Sequence, residues 1–468
     1  ARAYLAAKRT EEAIQLYEET LQLRREKLGT EHLDTLVSMH CLADAYLVAG
    51  RTEEAIGLHR ETLQMRRDKL GPEHLSTLGS MHALACAYVK ASRAEEAIAL
   101  FVEVLPLWRA KLGPGHPDTL GSMNNLAVAY REVGRTEEAI QLHDETLQLQ
   151  REKLGPEDPN TLGSMGNLAN AYLDAGRAEE AIQLHGETLE LRREKLGPEH
   201  PDTLSSMHDL ARAYLDAGRT AEAIPLCTET LQLRRERLGP KHRDTLFSMG
   251  ELARAYVEAG RTEEAIQLHG ETLELRREEL GPEHPDTLNS TNTLADAYQR
   301  VGRFEEAMRL LEESLTVRRR TQPDSPDLAN TLALRARTLL SQGKFGEAEQ
   351  PAREALQIRQ QKMPDHWLTF LSQSLLGRSL AGQKKCEEAE PLLVDGYQGM
   401  KAREKNIPAQ NRIRLNDALD ALIQFYTDWG KPEAAEKWRQ ERAAQAAPAQ
   451  PPPVVEKTST EPRTAKGE

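Results

Sequence analysis

Apolar residues recur at helical spacing and switch face between two adjoining segments. In residues 118–134, Leu120, Met123, Leu126, Ala127 and Tyr130 fall on one stripe, which predicts a helix with one buried face. Asp118 is placed to cap its start, and Gly134 to supply the left-handed residue at its end. A second helix is predicted over residues 136–154, with Thr136 as its cap. Glu137 and Glu138 sit in its first turn, and Arg151 and Lys153 in its last, as the helix dipole favours. Gly155 and Pro156 end it. Ala127 and Ala139 let the two helices, here termed A and B, approach closely.

This hairpin recurs. Gly29, Gly71, Gly113, Gly155, Gly197, Gly239 and Gly281 are spaced by 42 residues, and Ala13 through Ala307 and Arg9 through Arg303 keep the same step. Ala348, Ala389 and Ala435 continue the alanine slot at steps of 41, 41 and 46. A lone hairpin cannot hide its stripe, so neighbours must stack to complete the core. The expected fold is an all-α solenoid of about ten to eleven helix–turn–helix repeats. A regular array spans residues 1–322, with its first repeat truncated. Divergent repeats and a polar capping helix span 323–442, and a disordered Ala/Pro-rich tail spans 443–468. Pro225, Pro351 and Pro391 lie early in B helices, where little is lost, whereas Pro106 lies deeper and predicts a kink.

Leu126-Ala127, Tyr130, Gly134-Arg135, Glu138-Ala139 and the loop Leu-Gly-Pro-Glu-His-Pro-Asp-Thr-Leu at 196–204 resemble the 42-residue tetratricopeptide repeats of kinesin light chains. Glu-Ala-Glu-Pro-Leu-Leu at 388–393 is similar too, and the resemblance covers about residues 1–440. It implies a right-handed tetratricopeptide superhelix whose concave face, lined by A helices, binds extended peptides. Met-Pro-Asp-His-Trp-Leu-Thr-Phe at 363–370, Leu-Leu-Gly-Arg-Ser-Leu at 375–380 and the closing segment 429–439 resemble the C-terminal arrays of large bacterial serine/threonine protein kinases. That likeness implies a regulatory or substrate-docking array whose catalytic domain lies upstream. The opening Ala-Arg-Ala-Tyr-Leu recurs at 211–215, so the sequence reads as starting partway through a repeat of a longer polypeptide.

Composition narrows the function. Aromatic residues make up only 4% and charged residues 29%, too few large side chains for one big core but enough for many small ones. The net charge of −13 disfavours nucleic acid as a partner. Cys41, Cys86, Cys227 and Cys386 are scattered, which fits a reducing, cytoplasmic compartment. No apolar run is long enough for membrane insertion.

Catalytic and metal signatures dissolve into the repeat. His242-Arg243-Asp244 spells a kinase catalytic-loop start, yet it occupies the slot that reads His200-Pro201-Asp202 elsewhere, and Met249 stands where the motif needs Asn. The histidines at His32, His74, His116, His200, His242 and His284 recur one per repeat, roughly 15–20 Å apart if helices pack at usual distances, too far to share an ion. No catalytic residue, metal or cofactor is expected in this segment. The repeats differ mainly on helix A. The slot two residues after Leu126 reads Asp44, Cys86, Val128, Asn170, Arg212, Arg254, Asp296, Arg337 and Arg378 through the repeats. A core slot tolerates no such range, so these positions are expected to face solvent. Asn124, Asn125, Asn167 and Asn170 are candidates to bond a peptide backbone, and Arg131, Arg212, Arg254, Arg337 and Arg378 to meet acidic groups. The expected function is a protein–protein interaction scaffold for a protein or acidic peptide. Passive spacing or self-association through the stack is the remaining reading.

Overall fold

A computed structural model describes residues 9–408 and 411–446. Among them the structure is helical with short turns. A lone B helix, Thr10–Leu28, is followed by ten A–B hairpins, from Leu33–Val48 with Thr52–Leu70 to Ile413–Asp428 with Pro432–Ala446. This is the all-α solenoid arrangement that the repeat predicts. The chain divides into two compact units between Leu268 and His269. The sequence boundary at 322 marks instead where the strict 42-residue step ends.

One hairpin shows how the sequence builds the unit. Helix A runs Pro117–Glu132 and helix B runs Thr136–Leu154. Pro117 sits at the first helical position, where its missing N–H costs nothing, so the cap falls two residues earlier than Asp118. His116 takes that role: its Nδ1 accepts from the Asp118 N–H at 3.2 Å. His32, His74, His200, His242 and His284 do the same, and Asp158 replaces them once. The recurrent loop histidine is a helix cap, and so is the histidine of the His-Arg-Asp triplet.

Gly134 turns the chain at φ +76°, and the Arg135 N–H returns to the Tyr130 carbonyl at 2.8 Å. Thr136 is the first residue of helix B rather than its cap; Arg135 occupies the cap position and makes no side-chain capping bond. Its guanidinium instead lies 4.2 Å over the Tyr130 ring and donates through Nε to Glu138 at 3.0 Å. The same Tyr–Arg–Glu clasp recurs at Tyr46–Arg51–Glu54, Tyr88–Arg93–Glu96, Tyr172–Arg177–Glu180 and onward to Tyr298–Arg303–Glu306.

The core forms between repeats. Ile140 and Leu147 of one B helix pack with Leu162, Met165, Leu168 and Ala171 of the next A helix. Ala127 and Ala139 are fully buried, as close helix approach requires. Arg109, Arg151 and Arg193 each reach the Glu 36 residues on, at 2.8–2.9 Å, tying successive B helices at the surface. The helix with Pro106 runs unbroken from Ala94 to Leu112. In the last hairpin Trp438 is buried against Tyr397, with ring centroids 5.5 Å apart, while Glu433, Glu436 and Arg439 lie exposed. The closing helix continues through Ala446, so residues 443–446 are helical rather than part of a tail; the rest of the predicted tail lies outside the described residues.

Candidate functional site

In the N-terminal unit each A helix turns one stripe away from the inter-repeat core. Residues at i, i+3, i+4 and i+7 define it: Gly79, His82, Ala83 and Cys86 on one helix, then Gly121, Asn124, Asn125 and Val128, then Gly163, Gly166, Asn167 and Asn170. The next two helices present Ser205, His208, Asp209 and Arg212, then Phe247, Gly250, Glu251 and Arg254. Most of these positions are half-buried rather than freely solvated. The expectation of solvent-facing slots is corrected in that respect, and the physical reason is lateral pairing between neighbouring A helices.

That pairing accounts for most of the sequence-nominated residues. Asn124 donates to Ser164 Oγ at 2.9 Å and its Oδ1 meets His143 Nδ1 at 3.1 Å. Asn125 donates to Cys86 Sγ at 3.3 Å. Arg131 bonds Asp174 at 2.7 Å, Arg212 bonds Asn170, and Arg254 sits 3.4 Å from both Asp216 and Glu258. Asn167 differs: among the described residues its amide has no side-chain partner. Gly121, Gly163, Gly166 and Gly250 have open space where a Cβ would point.

At one end of this face lies a pocket of about 580 Å³, lined by His40, Asp44, Leu75, His82, Cys86 and Trp108 among others. Its floor arises from one substitution. Arg24, Arg66, Arg192 and Arg234 reach from B helices to a serine on the following A helix, as Arg66 does to Ser80 at 2.8 Å. Trp108 occupies the equivalent slot and packs against His82 instead, with ring centroids 5.1 Å apart and planes inclined by 37°. Asp44 lies 3.6 Å from His40 and 3.4 Å from His59. Burial pushes the Asp44 carboxyl upward, but His59 and His40 outweigh it and hold the group below its ordinary range.

Burial controls the remaining titrations. His82, His143, His185 and His208 are pushed down to about 4, so all four are neutral at pH 7. Burial pushes the Cys86 thiol up to about 11, which leaves it protonated and a poor nucleophile. The surface offers neutral donors and acceptors, paired charges and a pocket of mixed polar and apolar lining. Sequence reading missed this pocket, whose signal was Trp108 standing in the slot of the arginines.

In the C-terminal unit, Arg337 pairs with Asp296, while Arg378 makes no hydrogen bond or ion pair among the described residues. No group of three or more His, Cys, Asp or Glu side chains gathers as a metal site would need, and no helix is long and apolar enough to cross a membrane, both among the described residues.

Stacked A–B hairpins, with their variation gathered on one face of helix A, define an all-α helical-hairpin repeat protein. The chain belongs to the tetratricopeptide-repeat family: the tetratricopeptide-repeat profile matches residues 1–68, 38–110, 89–152, 118–194, 157–226, 213–278, 258–320 and 291–361. Repeats of a putative kinesin light chain from Podosopora anserina are 33% identical over 44% of this chain and 97% of that one, with a TM-score of 0.41. The likeness to kinesin-light-chain-type repeats expected from the sequence thus has a solved counterpart. The apo quorum sensor NprR from B. thuringiensis is 15% identical over 76% of this chain and 96% of that one, with a TM-score of 0.49. Apo RapI, 11% identical over 79% of this chain and 98% of that one with a TM-score of 0.53, shares the fold. A search of curated proteins finds no match.

Proposed function

We propose that the protein is an interaction scaffold that holds an extended segment of a partner protein along the A-helix face. The carrying observation is the glycine–asparagine strip in the N-terminal unit. Glycine inside a helix destabilises it by about 1 kcal/mol relative to alanine, and Gly121, Gly163 and Gly166 have no neighbour that a Cβ would strike. Packing within this chain therefore gives no reason for them; close approach of another backbone does. Asn167 supplies an unpaired amide beside that strip, able both to donate to and to accept from a peptide unit. Asn124, Asn125 and Asn170 extend the polar row, and Arg131, Arg212 and Arg254 set positive charge along it. In the C-terminal unit Arg337 and Arg378 take the corresponding role for acidic groups.

The test is co-purification with the whole chain as bait, comparing the wild type with the double variant Gly163→Leu, Gly166→Leu. Space is open at both positions, so helicity is expected to hold or rise. The partner captured by the wild type is expected to bind the variant at least tenfold more weakly. Equal affinity in the two baits would remove the strip from the binding surface.

A further inference from the structure

Four A helices of the C-terminal unit gather an unusual charge cluster. Pro285–Arg300 brings Asp296 and Arg300, Pro326–Ser341 brings Arg337, Trp367–Gly382 brings Arg378, and Ile413–Asp428 brings Arg414 and Asp417. Asp296 is the hub. It accepts from Arg300 Nε at 2.8 Å, pairs with Arg337, and lies 3.7 Å from Arg414 Nη2. Arg414 also meets Asp417 at 3.3 Å. Arg378 occupies the slot of Asp296 and Arg337 on the third of these helices and is half-buried, within electrostatic reach of Arg337, Arg414 and Asp417, yet no hydrogen bond or ion pair among the described residues receives it.

The charges do not balance. Arg300, Arg337, Arg378 and Arg414 carry four positive charges against two on Asp296 and Asp417, a surplus of two in a chain whose net charge is −13. Arg337 and Arg414 are only 16% and 13% exposed, so water screens this surplus weakly. Guanidinium groups do not escape by losing a proton at neutral pH. A network built only to hold helices together would be expected to neutralise itself, because an uncompensated buried charge is strongly destabilising.

From this geometry we infer that Arg337, Arg378 and Arg414 form a binding site for a dianionic oxyanion, the phosphoryl group of a phosphomonoester. Such a group carries about −1.5 to −2 charges at pH 7 and three acceptor oxygens, which matches the surplus; a single carboxylate leaves one positive charge unmet. Planar guanidinium forks suit tetrahedral oxyanions with several donors at once. Burial depresses the pKa of all four arginines, a cost that a bound dianion offsets. The inference rests on the reading of the A-helix face as the binding surface and adds the chemistry of one group bound there.

Calorimetric titration of the whole chain tests it, with inorganic phosphate, O-phospho-L-serine and acetate as probes at constant ionic strength. Phosphate and phosphoserine are expected to bind, and acetate at least tenfold more weakly. Tighter binding of phosphoserine assigns the group to a phosphorylated residue, and tighter binding of inorganic phosphate to the free ion. Arg378→Gln is expected to raise the Kd for phosphate at least tenfold without lowering the unliganded Tm, since Arg378 ties nothing together. Arg378→Lys keeps the charge and loses the fork, and a severalfold rise is expected; it carries the test if the glutamine variant fails to fold. Acetate binding as tightly as phosphate, or unchanged phosphate affinity in the folded Arg378 variants, overturns the site. Because these probes need no partner protein, failure here is separable from failure of the glycine-strip experiment.

Discussion

The two units fill their interiors differently. In much of the N-terminal unit, each junction between a B helix and the next A helix holds its own small core drawn from the same slots: Ile14, Leu21, Leu36, Met39, Leu42 and Ala45 at one junction, and Ile182, Leu189, Leu204, Met207, Leu210 and Ala213 at another. In the C-terminal unit one continuous core runs from Leu315 to Trp438 and includes Tyr397, Leu419 and Phe425. Modular cores leave freedom on the A-helix face, where one slot reads His40, Asn124, Gly166 and His208 while the apolar residues of the junctions stay nearly constant. The continuous core gives up that freedom and fixes the three helices that carry Arg337, Arg378 and Arg414. Histidine burial differs in number: among the described residues His82, His143, His185 and His208, all pushed to about 4, lie in the N-terminal unit, against His269 alone pushed as far in the C-terminal unit.

Acid exposes this contrast most strongly. Each of those histidines has a folded pKa of about 4, below its unfolded value of about 6.5, so the unfolded chain binds protons more tightly. Their stabilisation is complete above pH 6.5 and is lost as pH falls from 6.5 towards 4, at about 2 kcal/mol per histidine by pH 5. Hydrogen exchange at pH 7 and pH 5 is expected to show the N-terminal unit opening first. Uniform loss in both units would break the comparison. Next in size, Trp438→Ala is expected to destabilise the C-terminal unit by about 3–5 kcal/mol, and thermal unfolding should show that loss spread through its continuous core. The smallest effect concerns the clasp. Arg135→Ala removes a ring contact and an exposed ion pair, and a small fall in the denaturant midpoint is expected.

The repeat, both helices of the hairpin and the Gly134 turn were legible because they are local: spacing and backbone chirality decide them. The caps were misplaced for a local reason also. Pro117 is already helical, so the cap lies two residues before Asp118, and histidine at a cap has no strong sequence signal. The state of the variable slots was not legible. Arg131 meets Asp174 and Arg254 meets Asp216 only because stacking brings neighbouring A helices side by side, with partners 43 and 38 residues apart. The arginine cluster lay further out of reach. Asp296, Arg337 and Arg378 share a slot, but Arg300, Arg414 and Asp417 join them only through helix packing.

The Tyr–Arg–Glu clasp is closed inside each hairpin, with all three members drawn from eight or nine consecutive residues, as at Tyr130, Arg135 and Glu138. A copy made in tandem therefore arrives with its own latch already fastened, and a deleted copy takes its latch away with it. Gene duplication in whole 42-residue blocks can lengthen or shorten such an array without orphaning a clasp arginine at the seam, which leaves the length of the A-helix face free to change by whole repeats.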